Sequence, residues 1–157
     1  MKIENYTAYK IVIVKTISKE ERSLYQVGKE CPLRKWDINK LLDKQKEKAL
    51  RFETVRQEID SNLPSRIQDN IFVFSNKDYE QRWCTILMGT LSEPYLLLTL
   101  SLTGEIKWFD AQYHQSNNPD KYWKSASDTP HNTPLNEGIF SGMAIIKKVK
   151  YIQVRSF

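Results

Sequence analysis

The chain has 157 residues, 40% of them hydrophobic, with 24 Lys and Arg against 19 Asp and Glu and a formal net charge of +5. That size suits one globular domain, able to bury about 70% of the surface its unfolded form exposes without help from disulfides or a structural metal. No run approaches the roughly 18 to 20 apolar residues of a membrane helix, the start Met-Lys-Ile-Glu-Asn-Tyr is too polar for a signal peptide, and a cytoplasmic setting is expected.

Residues 6 to 17 are rich in β-branched and aromatic types and predict a first strand. From Asp37 to Ile59 the apolar residues Ile38, Leu41, Leu42, Ala49, Phe52, Val55 and Ile59 recur at three- and four-residue spacing, which predicts one face of a helix with Asp37 as its N-cap. The opposite face carries Lys40, Lys44, Lys46, Glu47, Lys48, Arg51 and Glu58, mixed in sign and read as solvent-exposed. Asp60-Ser61-Asn62-Leu63-Pro64 ends that helix, because Pro disfavours the helical conformation in the residue before it. Ile71 to Phe74 then reads as a buried strand, and Ser75 or Asn76 as the cap of a helix from Lys77 to Met88 stopped by Gly89. Tyr95 to Leu102 and Glu105 to Asp110 are strand-like and separated by Thr103-Gly104, which predicts a hairpin. Residues 111 to 141 are polar and punctuated by prolines, with a short helix expected around Pro119 to Ser125, and a last strand is predicted over Gly142 to Val154. This order is an α+β layout, not the regular alternation of a parallel doubly wound sheet.

The familiar catalytic signatures are missing, among them a Gly-rich phosphate loop with a following Lys, a nucleophile elbow and a His-Glu-x-x-His helix. Cys31 and Cys84 are too few for a disulfide framework or zinc site and read as ordinary thiols, while His114 and His131 read as loop side chains, so no metal is expected. The basic excess lies mostly in the first 60 residues, with 14 basic and 10 acidic side chains against 10 and 9 in the rest. Its sign points to an anionic partner, though its size is small for a dedicated nucleic-acid footprint.

Five segments stand in order: Phe52-Glu53-Thr54-Val55-Arg56, Leu63-Pro64-Ser65-Arg66-Ile67, Ile71-Phe72-Val73-Phe74, Tyr122-Trp123, and Glu137-Gly138-Ile139-Phe140-Ser141-Gly142. Together they resemble an uncharacterised bacterial domain family within the ADP-ribosyltransferase-like superfamily. The resemblance implies a split antiparallel β core, with NAD bound as substrate in a cleft between two small sheets. It also implies transfer of ADP-ribose to a protein or nucleic-acid acceptor, in settings that include toxins and defence effectors. By this resemblance Glu137 is the catalytic carboxylate, accepting a hydrogen bond from a ribose hydroxyl and stabilising positive charge as the glycosidic bond breaks. Ser65 and Arg66 would meet the phosphates or the nicotinamide amide, and Tyr9, Lys10 and Tyr122 complete the expected NAD contacts. Where the family's first strand shows Tyr-His, this chain has Tyr9-Lys10, and a Lys meets a phosphate or ribose oxygen but cannot act as a neutral imidazole.

Read without the resemblance, several of these residues keep structural alternatives. Arg66 has Glu53 or Glu58 as ion-pair partners on the preceding helix, Arg56 stands three residues from Glu53, and Ser65 suits a turn. Tyr9, Tyr122 and Trp123 suit an aromatic core, and Glu137 a turn before Gly138. A basic nucleic-acid-binding module, or an inactive interaction domain on the same fold, stays open as the alternative function.

Overall fold

A computed structural model describes residues 1–33, 38–80, 83, 93–133 and 135–153. The architecture is α+β: strands β1 (Lys2–Ile13), β2 (Ile71–Val73), β3 (Tyr95–Asp110) and β4 (Asn136–Ile152) form an antiparallel sheet in the order β1-β3-β4-β2. Helices α1 (Lys19–Ser23), α2 (Asp43–Asp60), α3 (Gln112–Gln115) and α4 (Pro119–Lys124) accompany it. None of the described helices is long and apolar enough to cross a membrane. The chain divides into two compact units, one of Met1, Leu33–Phe72 and Ile106–Ser141, the other of Lys2–Pro32, Val73–Glu105 and Gly142–Phe157.

In the first unit, the long helix begins at Asp43, later than the apolar spacing predicts; Ile38–Lys40 form a 3-10 turn, and Asp37 lies outside the described residues. Leu42 stands at the N-cap with its backbone N–H donated to Gln45 Oε1 at 3.4 Å, so its side chain leaves the apolar face and is 73% exposed. The helix ends where Pro64 predicts. Asp60 Oδ1 accepts the Asn62 N–H at 2.9 Å, and the buried Arg56 reaches past the helix end to the carbonyls of Ser61 and Leu63 at 2.8 and 2.7 Å. These bonds place the guanidinium just past the C-terminal end of the helix, where a positive charge is favourable, and satisfy carbonyls of the turn that follows. Arg56 also pairs with Glu53 three residues back, as its spacing predicts.

Helix α4 forms where a short helix is expected within the otherwise irregular segment, because Asn118 accepts the Lys121 N–H and Pro119 occupies the first turn, where a missing N–H costs nothing. Its Tyr122 and Trp123 are wholly buried with Phe52, Leu63, Phe109 and Ile139, and Trp123 Nε1 donates to the Phe52 carbonyl at 2.7 Å. Tyr122 and Trp123 are therefore core residues, with the polar tip of each ring satisfied.

In the second unit, β1 runs over Lys2–Ile13, not residues 6 to 17; Val14–Thr16 turn into a 3-10 helix, and Ser18 caps α1 by accepting the Glu21 N–H. The predicted hairpin at Thr103-Gly104 is absent. Tyr95 to Leu102 find their antiparallel partner in β1, from Ile13↔Tyr95 to Tyr6↔Leu102, so β3 continues straight through Gly104. The irregularity falls instead on β1, where Asn5 takes φ 49° and its N–H meets Thr103 Oγ1 at 3.2 Å, a bulge between Ile3 and Tyr6. Asn76 caps a short 3-10 turn over Lys77–Tyr79, as expected; most of the helix predicted to Met88, with Cys84 and Gly89, lies outside the described residues. Cys31 is buried, and burial pushes its thiol up despite the charge of Lys10.

Candidate functional site

The final strand begins at Asn136, six residues before the sequence pattern predicts, and this places Glu137 in a strand instead of a turn. Alternation along β4 then fixes where its side chain goes. Ile139, two residues on, packs in the Phe52–Tyr122–Trp123 core, so Glu137 shares that face. Gly138 faces the other way, against Ile106 and Trp108 of β3, where an added Cβ would lie 2.9 Å from Ile106 Cδ1 and Trp108 Cζ3. Glycine is required there by close approach, and that approach holds the start of β4 against β3.

Glu137 is 5% exposed, and its Oε2 accepts from both Arg66 Nη1 at 2.5 Å and the Tyr122 hydroxyl at 2.9 Å. The same Nη1 donates to the Tyr122 oxygen at 2.7 Å, closing a triangle of three side chains from the post-helix segment, α4 and β4. Burial works against the charge of Arg66, but the Glu137 carboxylate and Tyr122 outweigh it and hold the guanidinium firmly protonated. Burial also pushes the Tyr122 phenol well up, so at neutral pH Tyr122 keeps its proton and donates it to Glu137.

The triangle uses only part of each ion. Among the described residues, Arg66 Nε and Nη2 donate to no acceptor, and Glu137 Oε1 accepts no hydrogen bond. The guanidinium sits against two aromatic rings, its Cζ 4.9 Å from the Phe72 ring centre and 5.2 Å from that of Tyr122. What the arrangement offers chemically is a fixed carboxylate oxygen and a pair of guanidinium donors, a combination that takes a hydroxyl on one side and an anionic oxygen on the other.

Arg66 thus pairs with neither Glu53 nor Glu58, the partners its position after the helix suggested. Glu53 is occupied by Arg56 and by the Ser65 hydroxyl, which donates to its Oε2 at 2.7 Å. Burial pushes the Glu53 carboxyl up, but the hydrogen bonds from Arg56 and Ser65 and the Arg56 charge outweigh it and hold the carboxyl below its usual range. Ser65 is buried and also accepts the Ile67 N–H at 3.2 Å, so it builds the turn beside the triangle and does not join it. Tyr9 and Lys10 belong to the second unit. Tyr9 exchanges both backbone hydrogen bonds with Phe74 at 2.9 Å and packs ring to ring with it at 5.8 Å, while Lys10 is half-buried on β1 near Cys31.

Two residues at the triangle's edge were read from the sequence as surface or loop. Lys48 stands four residues before Phe52, with its Nζ 5.8 Å from the Phe52 ring centre, and burial together with Arg66 pulls its pKa down. Its spacing from Phe52 was the available signal, because positions i and i+4 share a helix face. His114, on α3, packs its ring 4.9 Å from Phe52 and 6.0 Å from Tyr122. Burial, then the charges of Arg66 and Lys48, push its pKa down to about 2, so it is a neutral ring in this cluster. Nothing in its sequence neighbourhood marks that role. Among the described residues no three His, Cys, Asp or Glu side chains come together as a metal site would need. Comparison with protein-family models and with curated proteins finds no match to this chain.

Proposed function

We propose that this chain is an ADP-ribosyltransferase-like domain that binds NAD at the Arg66–Tyr122–Glu137 triangle and transfers ADP-ribose to a protein or nucleic-acid acceptor. The observation that carries the reading is convergence: Arg66, Tyr122 and Glu137, chosen by a motif resemblance across 71 residues of sequence, meet in one hydrogen-bonded group. The glycosidic chemistry rests on the resemblance; the fitness of the group for an anionic, hydroxyl-bearing ligand rests on the unused Nε, Nη2 and Oε1 atoms.

In this reading Glu137 Oε1 accepts a hydrogen bond from a hydroxyl of the nicotinamide ribose, while Arg66 and Tyr122 fix the carboxylate through Oε2. The bond from the ribose C1′ to the nicotinamide nitrogen breaks with both electrons leaving on nicotinamide. The carboxylate stabilises the oxocarbenium ion that forms. An acceptor nucleophile then bonds to C1′ and gives up its proton to solvent. The position of the carboxylate is set before the ligand arrives, so little reorganisation is needed as charge develops. The split β core of the superfamily, a cytoplasmic setting and a part in toxin or defence systems belong to the same proposal.

The test is transfer of label from adenine-labelled NAD to cellular protein and to RNA, with Glu137→Gln as control. Labelling that depends on Glu137 supports the reading. RNA that is bound in a salt-sensitive manner but never labelled replaces it with the nucleic-acid-binding alternative.

A further inference from the structure

We infer that Lys48 and Arg66 together hold the pyrophosphate of the bound ligand, at the edge of the aromatic cluster of Phe52, His114 and Tyr122. The placement of the two cations at neighbouring rings stands on geometry; that their ligand is a dinucleotide pyrophosphate rests on the NAD reading. Phe52 is the hinge of the arrangement. Its ring lies 5.8 Å from Lys48 Nζ, 4.9 Å from His114 and 5.6 Å from Tyr122, and Tyr122 in turn lies 5.2 Å from the Arg66 guanidinium. The two cations therefore sit against neighbouring rings of one aromatic cluster contributed by α2, α3 and α4, Lys48 at Phe52 and Arg66 at Tyr122.

Charge balance leaves room for an anion. Arg66 spends its Nη1 on Glu137 and Tyr122, and its Nε and Nη2 meet no acceptor among the described residues. Lys48 Nζ has no carboxylate within ion-pair distance among the described residues. With Glu137 as the one carboxylate of the group and His114 neutral, two cations face one anion, and a partly buried cation without a counter-ion is costly. A pyrophosphate fits both donors, since a guanidinium presents a planar fork to one phosphoryl group and an ammonium a point charge to the other.

The experiment is calorimetric titration of the whole protein with sodium pyrophosphate at low salt, for the wild type and for Lys48→Met, which keeps the aliphatic stem over Phe52. Alongside it, NMR follows the His114 ring in the wild type with and without pyrophosphate. Removing one charge-assisted contact should weaken binding about tenfold in Lys48→Met. Bound pyrophosphate should also shift the His114 ring resonances at pH 7, because that ring packs on Phe52 and Tyr122, the rings beside the two cations. Undetectable binding, equal affinity in the variant, or binding that leaves His114 unmoved each overturns the proposal. Pyrophosphate binding with these signatures but no nicotinamide release keeps the cation pair and removes the transferase reading. Nicotinamide release with unchanged pyrophosphate affinity in Lys48→Met does the reverse.

Discussion

Glu137→Gln removes a buried charge while keeping the shape of the side chain, and its effect follows from the burial of its partner. Arg66 and Glu137 are paired with side-chain exposures of 17% and 7%, so the variant leaves the guanidinium without its counter-ion in a mostly water-excluded place. Breaking a buried pair from one side costs about 3 to 5 kcal/mol. The residual exposure of Arg66, and the amide oxygen of Gln as a neutral acceptor for Tyr122, put this case at the lower end, about 3 kcal/mol. For a chain of this length each kcal/mol lowers the melting temperature by about 2 to 4 °C, so a loss of about 6 to 12 °C is expected by scanning calorimetry. Arg66→Met alone should cost a similar amount, since it strands the carboxylate. The double variant Arg66→Met/Glu137→Gln should recover part of either loss, because no unpaired ion remains. A Glu137→Gln protein that melts within 2 °C of wild type, or strictly additive losses in the double variant, would refute the buried-pair reasoning.

Gly138→Ala forces a Cβ to 2.9 Å from the Trp108 ring, and it should destabilise by about 1 to 3 kcal/mol, read as a lower urea midpoint with an unchanged slope. Ser65→Ala removes the hydroxyl that donates to Glu53 and should cost about 1 to 2 kcal/mol at pH 7. The folded-state pKa of Glu53 is depressed, so its contribution is present above its ordinary value of 4.5 and is lost as pH falls through the folded pKa. The Ser65→Ala deficit should therefore shrink in denaturation curves taken below that pH, and a deficit constant with pH would count against the coupling. His114 has a folded pKa depressed from 6.5 to about 2, so the unfolded state binds the proton first and stability is lost as pH falls below 6.5. Relative to His114→Phe, the wild type should lose about 2 kcal/mol between pH 7 and pH 5, and parallel stability curves for the two proteins would contradict a buried neutral ring.

Much of the frame was legible in the sequence because it is written in local chemistry. Pro64 marks the end of α2, Asn118-Pro119 the start of α4, Asn76 a cap, and Glu53 to Arg56 an i,i+3 ion pair, and each depends on residues within one turn of the chain. Features decided by distant partners were not. Thr103-Gly104 has the composition of a turn, yet β1 offers Tyr95 to Leu102 a full ladder and the strand runs on. Leu42 fits the helical period but falls one residue before the helix starts. Glu137 precedes a glycine and reads as a turn residue; the glycine instead marks tight packing on Trp108, within a strand. The choice of Arg66 for Glu137 over Glu53 was out of reach because Arg56 and Ser65 had already claimed Glu53 in three dimensions.

The central claim is that Glu137 in its Arg66–Tyr122 setting promotes cleavage of NAD. The most direct measurement is nicotinamide released from saturating NAD by the purified protein and by Glu137→Gln, at a temperature where calorimetry shows both folded, with and without cellular protein and RNA. Release by the wild type that falls at least a hundredfold in the variant is the expected result, the scale of losing one main electrostatic stabiliser of the transition state. No release under any of these conditions, or equal release by both proteins, would contradict the claim.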